Sequence, residues 1–220
     1  MSVPVWSLHL ADAREAEDLS AFLARLIHYD RAAAVRLQAG GGALAVFGRP
    51  PSFEVLAVRT ARLAQPVELD VTVSAGELLE SLSSADFAVP GAVTGPPWAG
   101  VLPPRGGWQE VPGLPEVGAM RGAVAAAVAE FRDRDEALPA ERRTRAERDR
   151  IGRDIWSRTV GGTGLPLRAV HAAQSLGFLR PGVPVALLAS GAWLRLRTPF
   201  GSIALRSGGG LGGLPVTPRG

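Results

Sequence analysis

Val3-Pro4-Val5-Trp6-Ser7-Leu8-His9-Leu10 alternates apolar and polar positions, places Trp6, Leu8 and Leu10 on one face, and predicts a strand. The period then lengthens: Ala16, Leu19, Phe22, Leu23, Leu26 and Ile27 recur at helical spacing, so 12–28 reads as an amphipathic helix. Asp12 stands at its start with Glu15 three residues on, the spacing of a capping box. Strand patterns return over 33–38, 43–47, 53–62 and 68–73, with Gly40-Gly41-Gly42 and Arg49-Pro50-Pro51 supplying turns. In the last of these, Leu69, Val71 and Val73 are expected to face inward and Glu68, Asp70 and Thr72 outward. Ser74 is placed to cap a short helix over 75–82.

Regular periodicity stops at 84–115, where seven prolines and six glycines fall in 32 positions. That density is expected to forbid regular structure and to leave a long ordered loop or linker. Trp98 and Trp108 lie inside it and are expected to pin it to the body, since two indoles are costly to leave in water. The helical period resumes at Glu116 with a stripe of Val117, Met120, Val124, Val128 and Phe131. Ala119, Ala123, Ala126 and Ala127 are small enough for a neighbouring helix to approach closely. Pro139 ends this helix; a second is predicted over 140–158 and a third over 166–178, with Pro166 at its first turn behind Gly164. Strands over 183–188, 192–197 and 202–206 follow, then a tail, 207–220, whose six glycines predict disorder. The fold class is α+β: antiparallel meander sheets with a helix before each half, plus a helical insertion. Residues 1–83 and 183–206 form the expected sheet domain, 84–115 the Pro/Gly-rich loop and 116–180 the helical insertion.

Composition narrows the classes. The chain has 220 residues, 46% hydrophobic and 20% charged, a globular composition with room for a sizeable core. No apolar run approaches the roughly 20 residues that span a bilayer. The first residues lack the charged-then-apolar order of a signal peptide, so a cytoplasmic location without a membrane partner is expected. The absence of cysteine removes disulfides, thiolate nucleophiles and cysteine-ligated metal. All 24 basic residues are arginine. Codon usage in GC-rich coding accounts for that better than nucleic-acid binding does, because nucleic-acid binders normally use both cations. The net charge of +3 conceals a polarity, with 11 arginines against 17 acids over 1–138 and 13 arginines against four acids over 139–220. The expectation is that oppositely charged parts of one fold attract each other. The alternative is attraction of an acidic partner or a nucleic acid.

Two stretches echo each other. Val35-Arg36-Leu37-Gln38-Ala39-Gly40 through Phe53-Glu54-Val55-Leu56-Ala57-Val58-Arg59 is a three-strand meander after a helix. Val185-Ala186-Leu187-Leu188-Ala189-Ser190-Gly191 through Ser202-Ile203-Ala204-Leu205-Arg206 is another. With the strand over 68–73 opening the second unit, the order is βαβββ twice, which resembles one domain of the bacterial sliding DNA clamps. Val71-Thr72-Val73-Ser74-Ala75-Gly76-Glu77-Leu78-Leu79 is similar to the clamp's strand-to-helix junction. The resemblance covers 2–82 and 183–206 and implies helices that present basic residues to DNA. This chain departs from that pattern: 11–28 sets Arg14 and Arg25 against Asp12, Glu15, Glu17 and Asp18, and the second helix offers Glu77 and Glu80.

Catalytic constellations are sparse, and an enzyme is not the expected reading. His9, His28 and His171 are scattered without metal spacing, and no metal or other cofactor is expected. His171 and Ser175 are one helical turn apart but lack a nucleophile elbow or a paired acid. Gly161, Gly162, Thr163 and Gly164 precede a helix, with Arg158 and Arg168 flanking them. They form a candidate anion site, read first as a plain interhelical connection. The arginine-dense helix carries the i,i+4 pairs Glu141–Arg145, Arg143–Glu147, Arg145–Asp149, Asp149–Arg153, Arg150–Asp154 and Asp154–Arg158, the pattern of a self-paired solvated helix. On the last hairpin, Leu194, Leu196, Ile203 and Leu205 are assigned to the core, which gathers Trp193, Arg195, Arg197 and Arg206 on the other face. That face suits a nucleic acid, or docking of an acidic helix such as 12–28. The functional expectation is a non-enzymatic interaction or scaffold protein that self-associates or binds a protein partner. The alternative is a nucleic-acid-binding accessory protein using that hairpin.

Overall fold

The computed structural model describes residues 6–82 and 85–206; Val3, Pro4, Val5 and the tail 207–220 lie outside them. Of the opening alternation, Ser7–His9 forms strand β1. Helix α1 (Ala13–Tyr29) begins at Asp12, whose side chain accepts from the Glu15 N–H at 3.0 Å. The Glu15 carboxylate does not complete a capping box; it accepts from Arg62 Nε at 2.8 Å. Strands β2 (Ala34–Gly40), β3 (Ala43–Gly48), β4 (Leu56–Arg62) and β5 (Leu69–Ser74) follow. β4 starts three residues later than its apolar pattern, because Ser52 and Glu54 hold left-handed backbone with φ of 70° and 53°. Ser74 caps α2 (Ala75–Ser81) through the Glu77 N–H, as its position predicts.

The Pro/Gly-rich segment is more ordered than its composition suggests. It contains β6 (Asp86–Ala88), a 3₁₀ turn over Pro97–Gly100 and β7 (Gln109–Val111). Three residues between Gly107 and Pro112 suffice for an edge strand, because the prolines stay outside the paired positions. Then come α3 (Val117–Glu136), α4 (Arg145–Trp156), α5 (Leu167–Ser175), β8 (Ala186–Ser190), β9 (Trp193–Thr198) and β10 (Gly201–Arg206). α4 is shorter than predicted: Thr144 caps it through the Glu147 N–H, and 140–142 form only a 3₁₀ turn.

Among the described residues, ten strands and five helices make an α+β fold. Eight strands form one antiparallel sheet in the order β5-β2-β3-β4-β10-β9-β8-β7, while β1 and β6 pair separately. The order is a palindrome about the β4–β10 seam, where Ile203 lies opposite Ala57. Each half is a meander with one further strand on its outer flank. β5 therefore completes the first half by pairing with β2, and β7, not β5, opens the second.

α1, α2 and α5 cover one face of this sheet, and α3 and α4 pack onto α5. Val35, Leu37, Leu44, Val46, Ala57, Leu187, Leu196 and Ile203 point into that layer and are almost fully buried. α1 packs so closely that a Cβ on Gly48 would lie 2.5 Å from Leu26 Cδ1. Among the described residues no helix is long and apolar enough to cross a membrane.

Candidate functional site

The hairpin register settles which side chains share a face. Ser202 opposes Arg197, Ala204 opposes Arg195 and Arg206 opposes Trp193, so Trp193, Arg195, Arg197 and Arg206 all lie on the outer face, away from the helices. Leu196, Ile203 and Leu205 are buried on the helix face, with Leu194 half-buried beside them. Arg195 is half-buried: its Nε donates to Ser202 Oγ at 2.9 Å and its guanidinium lies 5.8 Å from the Trp108 ring centroid. Burial pushes its pKa below the ordinary arginine value, and the neighbouring Arg197 charge adds to the effect. Arg197 and Arg206 are exposed. No described carboxylate lies within ion-pair distance of any of these three arginines.

The acidic helix α1 is not their partner. It lies on the opposite face, where Asp18 accepts from Arg59 at 3.0 Å and Asp12 from Arg62 at 2.8 Å. The charged helix α4 likewise does not simply pair with itself. Of the six i,i+4 pairs, Arg145–Asp149 and Asp154–Arg158 form; the stronger contacts cross to α3. Arg158 donates to Glu130 at 2.6 Å, Arg148 to Asp135 at 2.8 Å, and Arg134 reaches back to Asp154. These arginines hold Glu130 and Asp154 below the usual carboxylate range, through hydrogen bonding first.

The loop of Gly161, Gly162, Thr163 and Gly164 uses several of its polar groups internally. Thr163 Oγ1 donates to the Val160 carbonyl at 2.6 Å and accepts from the Leu165 N–H at 3.2 Å. Gly161 has φ of +60°, and a Cβ there would meet the Gly113 carbonyl at 2.8 Å. Arg168 reaches toward Glu54 at 3.8 Å. The histidines remain dispersed. His9 Nδ1 lies 2.6 Å from Asp86 Oδ1, His28 ends α1, and His171 stacks on Trp156 at 4.5 Å. Among the described residues no group of three metal-ligating side chains comes together.

A part of the outer face escaped the sequence reading. Residues 92–108 cross it as a strap from the β5 edge to β8. Val93 N–H donates to the Thr72 carbonyl at 2.9 Å, Arg36 Nη1 to the Ala99 carbonyl at 3.0 Å, and Ser190 Oγ to the Gly106 carbonyl at 3.3 Å. Trp108 fixes the turn through Nε1 to the Pro104 carbonyl at 3.0 Å. Trp98 is half-buried at a second cleft beside Arg49 and Asp30. Between strap and sheet lies a cleft of about 240 Å³, with Phe47, Val58 and Ala45 on the sheet side, Pro103 and Pro104 on the strap side, and Arg105 and Arg195 among its lining. The available signal was phase. Phe47 is an apolar residue at an outward position of β3, a mark that something covers that face.

Comparison with known proteins gives families without an assigned role. Residues 3–100 match a family model described as a domain of unknown function (DUF8010), and 103–210 match a second (DUF8185), each somewhat less than half of the chain. The boundary between the two falls within the strap. No curated protein matches the sequence. Two crystal structures of the DNA polymerase sliding clamp from Pseudomonas aeruginosa, one of them with ligand, are similar at TM-scores of 0.48 and 0.47. Identity is 12% and 14%, over 98% of this chain and 68% of the clamp chain. The likeness to the sliding clamps is a weak one, and it runs over nearly the whole chain and not over 2–82 and 183–206 alone as expected.

Proposed function

We propose that this chain is a non-enzymatic interaction protein of the cytoplasm whose contact surface is the outer face of β9 and β10. The observation that carries the reading is that three arginines without a carboxylate partner among the described residues share one sheet face, while Arg14, Arg121 and Arg132, also without one, lie on α1 and α3. Arg36, Arg59, Arg62, Arg134, Arg148 and Arg158 each meet a carboxylate within 3.0 Å, whereas Arg195, Arg197 and Arg206 meet none among the described residues. An acidic protein surface, including the acid-rich N-terminal half of a second copy, complements them. The test is sedimentation velocity of the chain at low and high salt, alone and with Arg197→Ala and Arg206→Ala together. Self-association that weakens with salt and is lost in the double variant supports the reading. A monomer at all concentrations removes the self-association arm.

A nucleic acid is the second reading. It is favoured by Trp193, which stands on the same face directly opposite Arg206 and supplies a ring beside cations. Fluorescence anisotropy with labelled single- and double-stranded oligonucleotides separates the two. Binding that falls steeply with salt and disappears in the double variant selects the nucleic acid. Absence of binding at low salt rejects it.

A further inference from the structure

The cleft beneath the strap has the make-up of a ligand site in its own right. Part of its lining is apolar, with Phe47 and Val58 buried beneath it and Pro103 and Pro104 facing them, while Gln38 and Thr60 contribute polar groups beside the two arginines. Its charge is one-sided. Arg195 Nε is committed to Ser202, but its two terminal nitrogens have no acceptor among the described residues. Among the described residues Arg105 has no hydrogen-bond or ion-pair partner. Asp70 feels the Arg105 charge, but its carboxylate is held by Arg36 at 2.8 and 3.0 Å and by Gln38 at 3.2 Å. Glu68, near Gly40 at the rim, accepts from the Gly41 N–H at 3.4 Å. Two cations thus border the cleft, and among the described residues neither Asp70 nor the exposed Glu68 at the rim forms an ion pair with either of them. A half-buried guanidinium left in this state is stabilised by an anion that also displaces water from the apolar floor.

We propose that this cleft binds a small anion with a flat apolar body, of the aromatic carboxylate class, with the anionic group at Arg195 and Arg105 and the ring between Phe47 and the strap prolines. At about 240 Å³ the cleft is slightly smaller than common ligand pockets, which limits the occupant to one or two rings. The site shares Arg195 with the contact surface proposed above but does not rest on that reading.

The test is isothermal titration calorimetry of the full chain with 2-naphthoate, and with 2-naphthalenemethanol as the neutral isostere. The expected result is saturable one-to-one binding of the carboxylate below about 1 mM, and binding of the alcohol at least about tenfold weaker. Ala45→Phe fills the cleft and is expected to abolish binding while leaving Arg197 and Arg206 untouched. Arg105→Glu, on the exposed strap where the fold is not at stake, is expected to weaken binding by at least about tenfold. No saturable binding, equal binding of acid and alcohol, or unchanged affinity in Arg105→Glu overturns the proposal. Loss of self-association or of oligonucleotide binding in the Arg197→Ala, Arg206→Ala variant, with naphthoate binding retained, shows the two surfaces to be separate.

Discussion

Arg59 on the helix face of the eight-stranded sheet and the arginines of β9 and β10 on its outer face are treated in opposite ways, although Arg36, at the other end of the outer face, is paired with Asp70. On the helix face Arg59 is only 6% exposed and sits under α1, with Asp18 at 3.0 Å and Glu15 at 3.8 Å. On the outer face Arg195 is half-buried against Trp108 and Ser202 with no carboxylate partner among the described residues, and Arg197 and Arg206 stand in solvent. A charge removed from water is tolerated where the fold itself supplies the counter-charge. Where it does not, the charge is held for a partner outside the fold or remains partly solvated. That contrast is the ground on which the outer face of β9 and β10 is proposed as the contact surface.

The sharpest way to break this contrast is to overfill each face in turn. Gly201 on the helix side has φ of +148°, and a Cβ there would lie 2.6 Å from the Phe178 ring. Gly201→Ala is expected to lose about 3 kcal/mol in urea denaturation, from backbone strain and overpacking together. Ala45→Phe on the outer face is expected to stay within about 1 kcal/mol, because its ring enters a cleft instead of a packed layer. If both cost the same, the outer face is as tightly packed as the inner.

Charge deletion gives a smaller difference. Asp18→Ala leaves Arg59 buried, with Glu15 alone at 3.8 Å and an Nε that already lacks a partner. The expected loss is about 2 kcal/mol, against at most about 0.5 kcal/mol for Arg197→Ala, both by urea midpoint. Equal losses would mean that Arg197 has a structural role.

The smallest effect concerns pH. Burial against Trp156 and Phe53 pushes the His171 pKa below its ordinary value. Its contribution to stability is full above the unfolded value of about 6.5 and is lost as pH falls from there toward the folded value. His171→Phe, which keeps a ring in the stack, is expected to flatten the decline in thermal midpoint between about pH 7 and pH 5. The decline that remains below about pH 4 belongs to Glu130, Asp154 and Asp70, whose pKa values their arginines depress.

Much of the candidate surface was legible in β-strand phase alone. Alternation in 193–197 and 202–206 separates Trp193, Arg195, Arg197 and Arg206 from Leu196 and Ile203, and the register agrees. Arg105 and Trp108 were not legible as members of that surface. They lie in a segment without periodicity, and their place depends on hydrogen bonds to Arg36 and Ser190, 63 and 84 positions away from their acceptors. Proline and glycine density also misled, because it measures lack of helix and long strand rather than lack of order.

The local elements are set within short stretches of chain. α1 with its Asp12 cap, α2 with Ser74, and the two meanders follow from interactions between residues a few positions apart and from side-chain alternation. Tertiary structure decided which strand flanks which meander, that the palindromic sheet closes at β4 and β10, and that a strap spans its outer face. It also decided which arginines are neutralised, since Arg59 meets Asp18 across 41 positions and Arg195 meets no acid at all among the described residues. Such pairings depend on chain crossings that no local pattern encodes, because a carboxylate selects its partner by distance in space.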